Sequence, residues 1–241
     1  NTGTSYQFIL SVDNIALSWL EIDGTDDKSN AVACQAEALY IQNNLIYDFA
    51  SADSFMTCFY IATATSGPYI TNNFIWNFTY TGVGTAQIFY STSTSAGIKC
   101  YNNTIYHVDF GTSSGHIFRN TLGNSTTEVR NLILMDWVNA ILTNVAVHAS
   151  AVLDYWGLEA LEAAVDNETI VTVADTFVDS TVSDPDLHLK GTSALSAGTG
   201  VDLGIDPGYV EFDIDGLDRN LSGDPWDVGA DQVVSTIVLG C

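Results

Sequence analysis

The amino-acid sequence predicts an all-β solenoid, in which one short structural unit is stacked on itself. A phrase of an apolar residue, any residue, Asn, two further residues and a second apolar residue occurs five times. Successive phrases are 29, 29, 30 and 29 residues apart, and they begin at Val12, Ile41, Ile70, Cys100 and Val129. A constant period of this size is the signature of a repeat architecture.

A second apolar run lies between these phrases and keeps the same period. It reads Cys58-Phe59-Tyr60, Ile88-Phe89-Tyr90 and Ile117-Phe118-Arg119, at steps of 30 and 29 residues. The runs are rich in β-branched and aromatic residues and are separated by Gly, Ser, Thr and Asn, as short strands and turns are. We therefore expect at least two strands in each unit, each paired with its equivalent one coil away, at about 4.8 Å.

The repeated asparagines predict a ladder along one edge of the stack. Side-chain amides in neighbouring coils can donate to one another and can cap backbone groups of the turn. Asn also tolerates the left-handed backbone conformation that a sharp turn needs. The columns that begin at Val12 and Leu17 are expected to fill the interior, and the predicted ladder residues are Asn14, Asn43, Asn72, Asn102 and Asn131.

These features resemble the right-handed parallel β-helix of the pectate-lyase-like superfold, with its asparagine ladder. The resemblance covers residues 12–150 as coils. Five later segments are similar to the final coil and terminal cap of many secreted bacterial β-helix proteins: Asp186–Leu189, Gly191–Leu195, Ala197–Gly198, Asp213–Arg219 and Asp227–Asp231. Handedness is implied by the resemblance alone, because the repeat allows either hand. Function stays open, since the superfold includes lyases, hydrolases, adhesins and phage spikes.

The chain is expected to form one domain with two parts. Residues 1–150 form the coils, and residues 151–241 form a short helix, the final coil or coils and an acidic capping tail. The helix is predicted within residues 151–165, with Asp154 as its N-cap. It would cover an exposed edge or an apolar side of the stack. No apolar run is long enough for a transmembrane helix, so no membrane insertion is expected.

The charge of the chain excludes some partners and predicts an exterior location. There are 29 acidic and 6 basic residues, which give a net charge of −23. Such a surface repels nucleic acid and anionic membranes. It would also repel polyuronates unless cations intervene. The charge suits a salty or Ca²⁺-containing exterior, so we expect an extracellular, cell-surface or virion protein.

One long segment has almost no charge. Between Asp53 and Asp109 the only formal charge is Lys99. Half of the side chains of a thin solenoid point outward, so an apolar wall is expected over residues 54–108. Either the tail covers this wall or another chain does, and we favour contact with another subunit.

An aromatic column is the first candidate binding site. Tyr47, Trp76 and Tyr106 follow the core residue of successive coils, and Met135 continues the column. Facing outward, the rings would form a platform on which sugars stack. Packing against the helix, a loop or another subunit explains the same pattern.

The next column is polar and holds Asp48, Asn77, His107 and Asp136. We interpret it as a second turn ladder, although His107 and Asp136 could form an acid–base pair. The lyases of the superfold use Lys or Arg as a base. Lys99 and Arg119 invite that comparison, but their registers place them on different faces, which argues against a lyase centre.

An acidic segment near the C-terminus is a candidate Ca²⁺ site. Asp213, Asp215 and Asp218 lie in a stretch that resembles the start of a calcium loop. The expected bidentate Glu is missing, since Ser222 stands at its position. The alternative is a turn in which Asp residues and Arg219 hold the cap together.

The sequence favours a non-catalytic, structural or adhesive exterior protein that assembles through the charge-poor wall. No constellation that catalysis requires is visible, so enzymatic activity is uncertain and is not favoured. The alternatives are a polysaccharide lyase or hydrolase, and a non-catalytic glycan-binding β-helix. The expected partners are other protein subunits, with a polysaccharide as a further candidate.

Overall fold

The computed structural model is an all-β structure in which three parallel sheets wind around one core. It describes residues 6–25, 30–53, 55–62, 68–92, 98–111, 114–120, 127–138, 140–145, 152–154, 156–158, 168–196, 198–203, 212–219 and 226–233. The strands are numbered in chain order, and consecutive strands belong to different sheets through most of the coils. This pattern confirms a parallel β-helix with coils of about 29 residues.

The first two sheets contain six strands each. Sheet A consists of β1 (Tyr6–Leu10), β4 (Asn30–Cys34), β7 (Phe55–Ile61), β10 (Thr85–Ser91), β13 (Ser114–Asn120) and β16 (Ala140–Val145). Sheet B consists of β2 (Ala16–Ser18), β5 (Tyr40–Gln42), β8 (Tyr69–Thr71), β11 (Lys99–Tyr101), β14 (Glu128–Arg130) and β17 (Val152–Asp154).

Sheet C has seven strands and carries the rest of the chain on its outer face. It consists of β3 (Glu21–Asp23), β6 (Leu45–Ser51), β9 (Phe74–Tyr80), β12 (Thr104–Asp109), β15 (Ile133–Val138), β18 (Gly157–Leu158) and β19 (Thr169–Ile170). The later elements are α1 (Val173–Thr176), the antiparallel pair β20 (Phe177–Asp179) and β21 (Asp186–Leu189), and a 3₁₀ turn at Ala194–Ser196.

The core consists of stacked columns, because equivalent residues of successive coils are paired in register. Phe89 stacks between Phe59 and Phe118, with ring centroids 5.2 and 4.6 Å away. From the second predicted phrase onward the two interior columns are confirmed as fully buried: Ile41, Ile70, Cys100 and Val129, and Ile46, Ile75, Ile105 and Leu134.

The first coil is out of the predicted alignment. Leu17 pairs with Ile41, and Ile22 pairs with Ile46, so the first step is 24 residues. Val12, predicted to be interior, is 63% exposed. The prediction was wrong here because it followed Asn14. In the first coil, Trp19 stands at the position equivalent to Asn43, and the backbone N–H of Trp19 donates to the carbonyl of Asn43.

The asparagine ladder is real but lies one residue beyond the predicted column. The amide of Asn44 donates to Oδ1 of Asn73, and the amide of Asn73 donates to Oδ1 of Asn103, both at 2.9 Å. The predicted residues instead occupy the turn itself, with φ between 53° and 58°: Asn14, Asn43, Asn72, Asn102 and Asn131. One amide bond runs within that column, from Asn131 to Asn102 at 2.9 Å.

The helix lies at a different place from the one predicted. In the described residues the only α-helix is α1, a single turn with Thr172 as its N-cap. Strands β17 and β18 occupy the start of the predicted helix, and residues 159–165 lie outside the described residues. Trp156 and Leu158 belong to the main core. Their spacing of two fits a strand, so the apolar pattern did not require a helix. No described helix has the length and hydropathy of a membrane span.

Candidate functional site

The C-terminal segment packs on the outer face of sheet C and forms a second apolar cluster there. It supplies Phe177, Leu187 and Leu195, together with other apolar side chains between residues 171 and 230. The sheet supplies Phe74, Trp76, Tyr106, Ile133 and Met135. Part of the charge-poor wall is therefore covered by the chain itself.

The C-terminal segment covers most of the predicted aromatic column. Trp76 is 8% exposed and Tyr106 is 3% exposed, so neither offers an open ring face over most of its surface. The hydroxyl of Tyr106 donates to the carbonyl of Ser180 at 2.7 Å. Tyr47 is half-buried at the margin of the covered area. The predicted three-ring platform is thus reduced to its first ring and the edge of its second.

A groove of about 590 Å³ lies where the C-terminal segment meets the first coils. Its floor is the outer face of sheet C, and its walls come from the first coil and from the turn before β21. We call this feature the groove. It is lined by Trp19–Glu21, Asn43, Leu45, Tyr47, Phe74, Trp76, Ser183–His188, Ile214 and Asp215.

Trp19 forms the outer rim of the groove in an unusual backbone conformation. Its φ is 59°, in the left-handed region, where equivalent positions of later coils have Asn. A bulky side chain at positive φ is a genuine outlier. Trp19 is nevertheless 56% exposed, and its ring borders Gly216 of the C-terminal turn. Strained residues of this kind cluster at functional sites.

Two further aromatic rings form the floor. Tyr47 stacks on Trp76 with centroids 4.4 Å apart and planes 12° apart. The Tyr47 hydroxyl donates to the carboxylate of Glu21, and this hydrogen bond raises the pKa of the tyrosine. The indole N–H of Trp76 is buried and makes no hydrogen bond with any described residue. A buried donor without a partner is costly, but this nitrogen is not accessible from the groove and offers no donor to a ligand there.

A histidine surrounded by carboxylates forms the inner wall. Nδ1 of His188 lies 2.5 Å from Oδ1 of Asp186, and Nε2 lies 3.2 Å from Oδ2 of Asp215. Burial lowers the pKa of His188, but the hydrogen bond to Asp186 and the charges of Asp231 and Asp215 outweigh it, so the net shift is upward. Burial raises the pKa of Asp231. The cluster can therefore hold a proton or another cation between its carboxylates.

The predicted Ca²⁺ residues do not come together. Oδ1 of Asp213 accepts the backbone N–H groups of Asp215 and Leu217 at 2.9 and 2.8 Å, so it stabilises its own turn. Asp215 points to His188, and Asp218 is exposed. Among the described residues, the one cluster with metal-ligand spacing contains Asp215 but neither of the other two. The arrangement favours the alternative interpretation, a turn that holds the cap.

Arg219 stabilises that cap from inside. Its side chain is fully buried and donates to the carbonyl of Gly229 at 2.9 Å. It lies over the ring of Trp226, 5.8 Å from the centroid. Burial lowers the pKa of Arg219 to about 10, against the opposing effect of the Asp213, Asp231 and Asp227 carboxylates. The guanidinium therefore keeps its charge at neutral pH.

The polar column forms a second set of turns. Asp48, Asn77, His107 and Asp136 have φ between 53° and 58°. The amide of Asn77 donates to Asp48 at 2.5 Å, and Nδ1 of His107 lies 2.6 Å from Asp136. This arrangement is the predicted turn ladder. The His107–Asp136 contact is real, but neither residue lines the groove.

The candidate lyase residues are separated, as their registers indicated. Lys99 lies in sheet B, pairs with Tyr69 and Glu128, and forms a salt bridge with Glu128. Arg119 lies in sheet A, with its guanidinium 5.4 Å from the ring centroid of Tyr90. No shared centre can include both side chains.

Comparisons with protein-family models, with curated proteins and with solved structures found no match for this chain. Strand pairing and core packing show the fold. Tyr47 and Trp76, which the sequence singled out, line the groove together with Trp19 and His188, which it did not single out as contact residues. The signal for Trp19 was its spacing, since Leu17 and Ile22 are five residues apart like Ile41 and Ile46. His188 gave a weaker signal, because only Asp186 lies near it in sequence, whereas Asp215 and Asp231 are distant.

Proposed function

We propose that this chain is a non-catalytic adhesive β-helix of a cell or virion exterior that binds glycans in the groove. The observation that carries the proposal is Trp19. It keeps an exposed ring at the rim of the groove in a conformation that favours Asn. Aromatic rings are the usual surfaces on which sugars stack, since their faces are apolar and rigid. Tyr47, which stacks on Trp76, supplies a second ring at the floor of the groove.

The charge of the groove selects the class of glycan. The described lining contains His188 and no Lys or Arg, and its carboxylates belong to Glu21, Asp184, Asp186 and Asp215. These acceptors suit sugar hydroxyls or amines and repel uronic acids. A ligand amine could also contact the face of Trp19. Neutral or amine-bearing glycans are therefore the proposed ligands.

Calorimetry against a panel of oligosaccharides tests this proposal. We expect binding of chitosan or neutral β-linked oligosaccharides, and binding of polygalacturonate oligomers at least tenfold weaker, because carboxylates face carboxylates. Preference for polygalacturonate, or no binding by any member of the panel, would contradict the proposal. Products released from any of these glycans would instead support the alternative of a lyase or hydrolase.

A second candidate function is assembly of copies of the chain through sheet A. On its outer face the half-buried rings of Tyr6, Tyr60 and Tyr90 stack along the coils, with centroid spacings of 5.9 and 5.5 Å. Strands β7 and β10 carry no charged residue, as expected of a subunit contact, and the tyrosine row ends at Arg119 of β13.

Light scattering over a concentration series at physiological salt tests the assembly. We expect a mass above that of the monomer, and expect Tyr60→Glu to lower it by placing charge in the contact. Tyr40→Glu, on sheet B, is the control and should leave the mass unchanged. A monomer at every concentration excludes assembly through this face.

A further inference from the structure

We propose that His188, Asp215 and Asp231 form a binding site for a divalent transition-metal ion, with Zn²⁺ as the best fit, at the inner wall of the groove. The inference goes beyond glycan binding and does not rest on it. The three side chains come from three separate segments: β21, the turn at Asp213–Arg219 and the segment at 226–233.

The spacing of the ligand atoms carries the proposal. One ligand atom from each of the three residues lies within 4.8 Å of the other two, in the only such cluster among the described residues. A tetrahedral Zn²⁺ ion at about 2.1 Å from each ligand places those ligands roughly 3.4 Å apart. Nε2 of His188 and Oδ2 of Asp215 are already 3.2 Å apart. Small side-chain rotations would complete the set.

The orientation of the imidazole is the second argument. Asp186 approaches Nδ1 of His188 at 2.5 Å, on the opposite side of the ring from Asp215. A carboxylate on one ring nitrogen fixes the tautomer and orients the other nitrogen, as in metal-binding histidines. With the proton on Nδ1, the lone pair of Nε2 is directed to the space between Asp215 and Asp231. Asp186 is therefore a positioning residue and not a ligand.

The burial of Asp231 is the third argument. Its side chain is 6% exposed, and Oδ2 accepts the N–H of Leu189 at 2.7 Å, which fixes the carboxylate beside β21. A buried carboxylate needs a counter-charge. Burial raises the pKa of Asp231 and the charges of His188 and Arg219 oppose this shift, but Arg219 donates to carbonyl groups and to the side chain of Gln232 and not to this carboxylate. A metal ion would give this carboxylate a direct positive partner.

The ligand types select the metal. One imidazole nitrogen with two carboxylate oxygens suits Zn²⁺, Co²⁺ or Mn²⁺, whereas Ca²⁺ takes six to eight oxygen ligands. His188 and Asp215 line the groove, so a bound ion would keep an open coordination position on that side. Water or a ligand hydroxyl could occupy it. The site thus replaces the Ca²⁺ site that the sequence predicted at Asp213, Asp215 and Asp218.

Calorimetric titration of the full chain with ZnCl₂, without glycan, tests the inference. The protein carries Cys241→Ser so that this thiol does not bind Zn²⁺, and it is first treated with a chelator. We expect one Zn²⁺ per chain and at least tenfold weaker binding of Ca²⁺. His188→Gln and Asp215→Asn should each weaken Zn²⁺ binding at least tenfold.

The control is His107→Gln, because His107 also contacts an Asp, at 2.6 Å, but belongs to no three-ligand cluster. It should bind Zn²⁺ as the parent protein does. Thermal melts without metal must show that His188→Gln is folded, and Zn²⁺ should raise the melting temperature of the parent but not of this variant. Three results would overturn the proposal: an equal loss of Zn²⁺ binding in His107→Gln, Zn²⁺ binding that His188→Gln leaves unchanged, or no Zn²⁺ binding by the parent protein. None of these outcomes bears on glycan binding, which the oligosaccharide panel tests separately.

Discussion

Replacing Trp19 by Asn is expected to stabilise the β-helix and to weaken glycan binding at the groove. The φ of Trp19 is 59°, and the left-handed conformation costs a bulky residue about 1–2 kcal/mol. Asn adopts this conformation at the equivalent position of the next four coils, at Asn43, Asn72, Asn102 and Asn131. Because Trp19 is 56% exposed, the loss of its remaining contacts, which include Gly216, offsets only part of this cost, and we expect a gain of about 1 kcal/mol in the free energy of unfolding.

The loss of binding should be roughly tenfold or more, because an aromatic contact of about 1.5 kcal/mol corresponds to about that factor in affinity. Chemical denaturation gives the stability, and calorimetry with the tightest oligosaccharide of the panel gives the affinity. The two effects have opposite signs, so a general loss of structure cannot imitate the result.

Ala38→Asn is the matched control. Ala38 also has a positive φ, 50°, but it does not line the groove. The substitution should stabilise the fold and leave affinity unchanged. If Trp19→Asn binds the oligosaccharide as tightly as the parent chain does, the proposal that glycans bind at this rim is wrong. If it destabilises the fold, Trp19 is retained for packing rather than for a ligand.

The repeat could be predicted from sequence because a strict period fixes register. Once Ile70 and Cys100 are equivalent, their neighbours follow, and the pairing of Lys99 with Tyr69 was obtained in this way. The period also identified the buried columns. A register shift of one residue would move every side chain of a strand to the other face of the sheet, so equivalent positions must share a face. Asn102 and Asn131 were placed correctly in the turn for the same reason.

The first coil was misaligned because the search depended on the turn residue and not on the interior pattern. Asn14 fits the phrase, but Leu17 and Ile22 carry the interior positions of that coil. Where Trp19 stands in place of Asn, a pattern built on Asn fails. The ladder was misplaced by one position because the phrase left the next residue free, although Asn44, Asn73 and Asn103 stand there.

The C-terminal segment could not be placed, because it does not repeat. The amide of Asn43 donates to the carbonyl of Asp213, 170 residues away in the chain. Such contacts leave no period in the sequence. The same limit explains the acidic segment, in which Asp213 turns inward to cap its own loop and Asp215 turns outward to His188. The spacing of the acidic residues suggested a single calcium loop, but packing directs the side chains of Asp213 and Asp215 to different partners.

Replacing Arg219 by Gln is expected to release the C-terminal segment from sheet C and to lower the free energy of unfolding by about 3–5 kcal/mol. The fully buried guanidinium donates to backbone carbonyl groups and opposes the charges of Asp213, Asp227 and Asp231. Without the guanidinium, the three carboxylates lose its positive charge, so their burial costs more free energy. The segment that carries them then favours exposure to water. The segment that carries them also covers Trp76 and Tyr106, so both rings should become accessible.

The coils themselves should persist in this variant, because their pairing and main core involve only neighbouring coils. Denaturation followed by tryptophan fluorescence should therefore show an early transition, or a shifted baseline, before the loss of far-ultraviolet circular dichroism. Binding of a hydrophobic dye should rise under native conditions.

Lys190→Gln is the control for Arg219→Gln, because it also removes one positive charge from the C-terminal segment. Lys190 is partly exposed and donates from Nζ to the carbonyl of Ala174 at 2.5 Å, so its loss should cost less than about 0.5 kcal/mol. Equal effects of the two substitutions would mean that net charge, rather than the buried guanidinium, holds the segment. A single transition at which fluorescence and circular dichroism coincide would mean that the coils depend on their cover.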